Sequence, residues 1–183
     1  DVMTVSYMNS SSAPHNSLFP SATLAGVRNS THYSYYRSDT VAKTFELLGE
    51  FSGDATTYSD PKMLFKWPIT NGNGWTDTYA HSNLTATVSG NYSVSATGVG
   101  LLMLVGGKSF QNVMQITAQD VMTRMTASDT TEVHITNYTY YHSLNRYPLL
   151  SVTYTRTAVT DSTNDVAGSI YVYYLVALGV EEN

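Results

Sequence analysis

The chain has 183 residues, no cysteine, a formal charge of −5 and only nine lysines and arginines. Those figures exclude disulfides, thiolate metal sites and cysteine nucleophiles, and scattered basic residues on an acidic chain argue against a nucleic-acid partner. No apolar run approaches the roughly 20 residues of a membrane-crossing helix, and the length fits one domain, residues 1–183, able to bury a core without staples.

With charged residues at 13%, the surface must be built mainly of Ser, Thr, Asn and Tyr, a composition of secreted β-proteins more than of cytosolic enzymes. Residues 1–30 are the least regular segment. Val2-Met3-Thr4-Val5-Ser6-Tyr7 reads as a strand; the polar stretch 9–14, with Pro14 and Pro20, excludes a helix and predicts a loop lying across the body. A strand follows over 31–36. Residues 38–49 are the one helix candidate, because Val41, Phe45 and Leu48 recur at helical spacing between a capping Ser38 or Asp39 and Gly49. Thr40, Val41, Thr44 and Phe45 favour extended backbone, and a strand is the reading taken.

Residues 63–116 organise the rest. An apolar run, Met63-Leu64-Phe65-Lys66-Trp67-Pro68-Ile69, turns through Thr70-Asn71-Gly72-Asn73-Gly74 and restarts at Trp75-Thr76-Asp77-Thr78-Tyr79. Leu84, Ala86 and Val88, then Tyr92, Val94 and Ala96, alternate with small polar residues, which predicts a hairpin turning at Ser89-Gly90-Asn91. Gly98 and Gly100 predict a bulge or a sharp bend. Gly106-Gly107 predicts a turn into 110–125, where Met114, Ile116 and Ala118 share a face. Residues 133–141 and 149–157 read as paired strands, the second with Leu150, Val152 and Tyr154 on one face. Asp161-Ser162-Thr163-Asn164-Asp165 predicts a turn into 169–178, a strand apolar on both faces and so expected to be central and covered on both sides. About ten strands with short turns and no clear helix predict an all-β fold, an antiparallel β-sandwich or a curved open barrel.

Motifs of chemistry are sparse. Gly107-Lys108-Ser109 resembles the end of a phosphate loop, yet the glycine required five residues earlier is Leu102, so a hairpin turn is the better reading. Gly98-Val99-Gly100 lacks the third glycine of a dinucleotide fingerprint. His15, His32, His81, His134 and His142 offer no local metal pair, and Asp161, Asn164 and Asp165 lack the glycine and glutamate of a calcium loop. No Gly-x-Ser-x-Gly occurs. For glycoside cleavage the least unfavourable carboxylates are Asp77 beside Trp75 and Glu132 near His134. No catalytic residue, metal or cofactor is predicted. Tyrosine is the one enriched side chain with recognition chemistry, in clusters Tyr33/Tyr35/Tyr36, Tyr138/Tyr140/Tyr141 and Tyr171/Tyr173/Tyr174. Exposed rings in a row offer stacking surfaces for sugars or a partner, though tyrosine also suits half-buried strands. Tyr138, Tyr140 and Tyr141 are the ligand-binding candidates.

Three of these stretches together resemble a family of secreted Bacteroidetes proteins. Phe65-Lys66-Trp67-Pro68-Ile69-Thr70 with Gly72-Asn73-Gly74-Trp75-Thr76-Asp77-Thr78-Tyr79 is similar to its first motif. The run from Gly98 through Leu104, Gly106-Gly107 and Phe110-Gln111-Asn112-Val113-Met114-Gln115-Ile116 is similar to its second. Tyr138 to Tyr141 with Pro148-Leu149-Leu150-Ser151-Val152 is similar to its third. The likeness spans residues 33–157 and departs at Val105, where the family has proline, and at Met114-Gln115, where it has Leu-Arg. That second departure puts any role for the arginine in doubt. The resemblance implies a cargo of the type IX secretion system, trimmed at both ends, with residues 178–183 as the linker to a removed sorting domain. Asp39-Thr40-Val41, Asp129-Thr130-Thr131 and Asp161-Ser162-Thr163 resemble the O-glycosylation motif of that phylum. The family brings no catalytic residue and no ligand.

The expectation is therefore a secreted or cell-surface, non-enzymatic β-domain acting in binding or as a structural or adhesive unit of an extracellular assembly. Its expected partners are further copies of itself, secretion components or a glycan. The alternatives are a carrier holding an apolar ligand in a β-cavity, with Met103, Met114, Met122 and Met125 as lining, and a glycan-active enzyme.

Overall fold

The computed structural model describes residues 5–28, 31–144, 148–159 and 166–174. They form β1 (Val5–Asn9), β2 (Leu24–Arg28), β3 (His32–Asp39), β4 (Thr44–Phe51), β5 (Ala55–Lys66), β6 (Gly74–Ser82), β7 (Thr87–Met103), β8 (Ser109–Met125), β9 (Thr130–Tyr141), β10 (Leu150–Val159) and β11 (Val166–Tyr174). Every strand pairs antiparallel with its sequence neighbours in the order β1 to β11, one open meander that does not close into a barrel. The all-β expectation holds. Among the described residues no α-helix occurs, and the only helical turns are single 3-10 turns at Ser10–Ser12 and Asn16–Leu18.

The sheet is strongly curved. Lys62 on β5 reaches Asp120 on β8, although β6 and β7 lie between them. Three strand spacings amount to about 14 Å in a flat sheet, further than the two side chains reach together, so β5 to β8 curl around a concave face. Alternation along β7 shows which side is which. Val88, Gly90, Val94 and Ala96 are buried, whereas Thr87, Ser89, Asn91 and Ser95 are exposed. Small hydroxylated residues thus coat the outer face.

Three local expectations are corrected. Residues 38–49 do not form one strand: β3 ends at Asp39, whose Oδ1 accepts from the backbone N–H groups of Val41 (2.8 Å) and Ala42 (2.7 Å), and this Asx turn feeds β4. The hairpin expected at Ser89-Gly90-Asn91 does not exist, because β7 runs 17 residues straight through it. Gly90 serves packing instead. A Cβ there would lie 2.4 Å from Cζ of Tyr79, so the glycine makes room for a ring crossing from β6. The strand expected to be central, β11, is an edge among the described residues, with Ile170, Tyr171 and Val172 all more than half exposed.

Other expectations hold. The bulges fall where Gly98 and Gly100 predicted them, between Ala96 and Gly98 and between Gly100 and Leu102. Gly106 and Gly107, at φ +89° and +80°, turn β7 into β8, and Leu104 N–H donates to Lys108 O (2.8 Å). The residues that resembled a phosphate loop are this hairpin turn. The turn expected over 161–165 and the linker over 178–183 lie outside the described residues.

The core has two compartments on opposite faces. On the outer face of β2 to β4, residues 10–23 fold back over the sheet, as the sequence predicted of that loop. They seat Phe19 on Tyr35 (ring centroids 4.2 Å) beside Ala13 and Ala25. Gly49 lies under Phe19, and a Cβ there would meet its ring at 2.1 Å. The first segment is more regular than expected, since β1 and β2 flank that loop. The second compartment fills the concave face with Tyr79, Val88, Val94, Ala96 and Ile116, and at its middle are charges.

Candidate functional site

Asp120 is the one buried carboxylate among the described residues. It sits on β8 opposite Tyr92 of β7, and its side chain is 7% exposed. Oδ1 accepts from the Tyr79 hydroxyl (2.7 Å), and Oδ2 accepts from the Lys62 ammonium. Lys62 Nζ is itself enclosed, 4.5 Å from the centroids of both the Tyr79 and the Tyr92 rings. Two aromatic faces and one carboxylate take over the role of water around the ammonium.

Tyr58 and His81 complete the cluster. They face each other across β5 and β6 with ring centroids 4.6 Å apart. The His81 Nδ1 is buried without a hydrogen-bond partner. Burial holds the imidazole below its ordinary value; the Lys62 charge pushes the same way, against Glu50 and Asp120. Burial pushes the Tyr92 phenol up to about 12, with the Asp120 carboxylate adding to it. Tyr58 and Tyr79 are raised further for the same reasons, Tyr79 also because its proton is held by Asp120. The phenols therefore stay protonated and the imidazole neutral, leaving Lys62 and Asp120 as a compensating pair. Sequence reasoning missed this cluster because its members lie 58 residues apart and neither Lys62 nor Asp120 stands in a motif.

Of the tyrosine candidates, Tyr138 and Tyr140 point to the outer face and Tyr141 to the concave one, as alternation along β9 requires. Tyr138 and Tyr140 line a shallow groove with Gln115, Thr136, Val152 and Tyr154, where the Tyr154 ring meets Tyr138 edge-on at 5.9 Å. Tyr141 instead lines a separate concavity of about 270 Å³ with Phe65, Ile69, Met114 and His142. The cluster at Tyr33, Tyr35 and Tyr36 divides in the same way: Tyr35 is fully buried under Phe19, and Tyr36 stacks on Phe45 (4.8 Å).

The carboxylates singled out for hydrolysis have other partners. Ladder pairing of β5 with β6 ends at Asp60. Beyond it the Asp77 carboxylate accepts from Met63 N–H (2.6 Å) and Trp75 Nε1 donates to Met63 O (3.3 Å). Side chains thus replace the missing strand–strand bonds. Glu132 meets His134 (2.6 Å) on the exposed surface. Met103 and Met125 are exposed, whereas Met114 lines the concavity it shares with Phe65, Ile69 and Tyr141. Among the described residues no group of three or more His, Asp or Glu is placed to hold a metal ion, and no helix is long and apolar enough to cross a membrane.

The fold and this cluster define a curved, open, all-antiparallel β-domain with a charged pair in its core. The chain matches no family model, no curated protein and no solved structure.

Proposed function

We propose that the protein is a secreted or cell-surface, non-enzymatic β-domain that acts by binding, as a structural or adhesive unit of an extracellular assembly. One observation carries this reading: β11, an edge among the described residues, exposes Ile170 (64%), Tyr171 (52%) and Val172 (55%) on both of its faces. An edge with unpaired main-chain groups and apolar residues on either side is a template for another strand. The partner is a second copy of this chain, paired β11 to β11 about a two-fold axis, since an isologous contact is self-complementary. Sedimentation of wild type against the Ile170→Lys/Val172→Lys double variant tests it. Wild type is expected to associate as concentration rises and the variant to stay monomeric; identical monomers would remove the reading.

The outer groove offers a glycan a place to bind, with tyrosine faces from Tyr138, Tyr140 and Tyr154 and hydrogen-bonding groups from Gln115 and Thr136. The likeness to type IX secretion cargo supplies the route outward. Expressed in a Bacteroidetes host with a signal peptide and a sorting domain appended, the chain is expected on the surface or in the medium, and retention in the cell would count against secretion.

A further inference from the structure

The enclosed pair Lys62 and Asp120 has no part in the proposed function, and its geometry does more than balance charge. We propose that Lys62 and Asp120 become joined by an intramolecular isopeptide bond from Nζ to Cγ, a covalent strut between β5 and β8. The inference does not depend on the self-association above.

Position comes first. Nζ is hydrogen-bonded to Oδ2, which brings the nitrogen close to Cγ, and the curvature of four strands holds it there. Such held proximity is worth effective molarities on the order of 10⁵ M or more, which offsets the bias of bulk water against amide formation. Solvent comes second. The two side chains are 13% and 7% exposed, and the Tyr79 and Tyr92 rings flank the amine. Little water therefore reaches the reacting atoms to compete with the amine for Cγ. Stabilisation comes third. The Tyr79 hydroxyl already donates to Oδ1 at 2.7 Å, the oxygen that gathers negative charge when the amine adds to Cγ.

The step balances without a co-reactant. Lys62 Nζ gives a proton to Oδ2, and the neutral amine then adds to Cγ while Oδ1 takes the charge against Tyr79. A second proton passes from Nζ to Oδ2, the Cγ–Oδ2 bond breaks and water leaves. An ammonium and a carboxylate become a secondary amide and one water, with no change of oxidation state. His81 lies beside Tyr79, with ring centroids 6.4 Å apart, and its unpartnered Nδ1 places an uncharged base in the same compartment. In a chain without cysteine, the bond would tie together residues 58 positions apart.

Intact-mass spectrometry of the folded full-length chain tests it. The expected mass is one water below that of the sequence. Proteolysis is expected to yield a branched peptide containing both Lys62 and Asp120. Lys62→Arg keeps a cation opposite Asp120 but removes the nucleophilic amine. It is expected to show the full mass and no branched peptide. The wild-type measurement decides even if that variant fails to fold. A wild-type chain with a strand-rich circular dichroism spectrum and the full sequence mass overturns the proposal. So does a lost water that maps to an unbranched peptide.

Discussion

Asp120 takes hydrogen bonds on both oxygens from groups that arrive from other strands, Tyr79 from β6 and Lys62 from β5. Removing one partner is therefore costlier than removing both. Lys62→Met leaves a carboxylate buried and unpaired and is expected to be about 3–5 kcal/mol less stable than Lys62→Met with Asp120→Leu, a comparison between two chains neither of which can form the Lys62–Asp120 bond. Urea unfolding midpoints of the single and double variants check the order. Tyr79→Phe removes only the hydroxyl and is expected to cost about 1–3 kcal/mol. Gly90→Ala directs a methyl at the Tyr79 ring and is expected to cost about 1–3 kcal/mol through overpacking. Its effect should shrink in a Tyr79→Ala background, because the clashing ring is then gone.

At the scale of elements, β5 and β6 part company after Asp60, and their separation is bridged by Asp77 and Trp75 acting on the two backbone groups of Met63. Asp77→Ala strands the Met63 N–H and is expected to cost about 1–3 kcal/mol. Hydrogen exchange should show the loss as faster exchange confined to 60–66 and 74–78. The N-terminal loop acts as a lid on β2 to β4 through Phe19 stacked on Tyr35. Phe19→Ala empties the space over Gly49 and is expected to cost about 3–5 kcal/mol, with Tyr35 fluorescence reporting the exposed ring.

For the whole molecule the buried titrating groups set a pH window. The folded His81 value lies below the ordinary 6.5, so below about pH 6.5 the unfolded chain binds the extra proton and stability falls with falling pH. Tyr58, Tyr79 and Tyr92 are raised above the ordinary 10.0, so above about pH 10 the unfolded chain ionises first and stability falls with rising pH. The expected profile is a plateau between those limits with the steeper loss on the alkaline side, where these phenols act together with Tyr35, Tyr36 and Tyr141, which burial also raises. Urea midpoints across that range check it, and Tyr92→Phe should soften the alkaline limb.

The sequence by itself determined the all-β class, the bulges at Gly98 and Gly100 and the Gly106-Gly107 turn. Each follows from side-chain alternation or backbone freedom within a few neighbouring residues. It also marked residues 63–116 as the organising stretch, although the roles of Trp75, Asp77 and Tyr79 within it are set by partners at Met63 and Asp120. Only the tertiary structure decided that Gly90 lies inside a strand, because a glycine that opens a turn and one that admits a ring read alike in one dimension. Only it decided that β11 is an edge, since an apolar strand looks the same whether its own chain covers it or not. The Lys62–Asp120 pair belongs wholly to the curvature of the sheet: three strand spacings had to be folded into one contact, and no local pattern encodes how far a sheet bends.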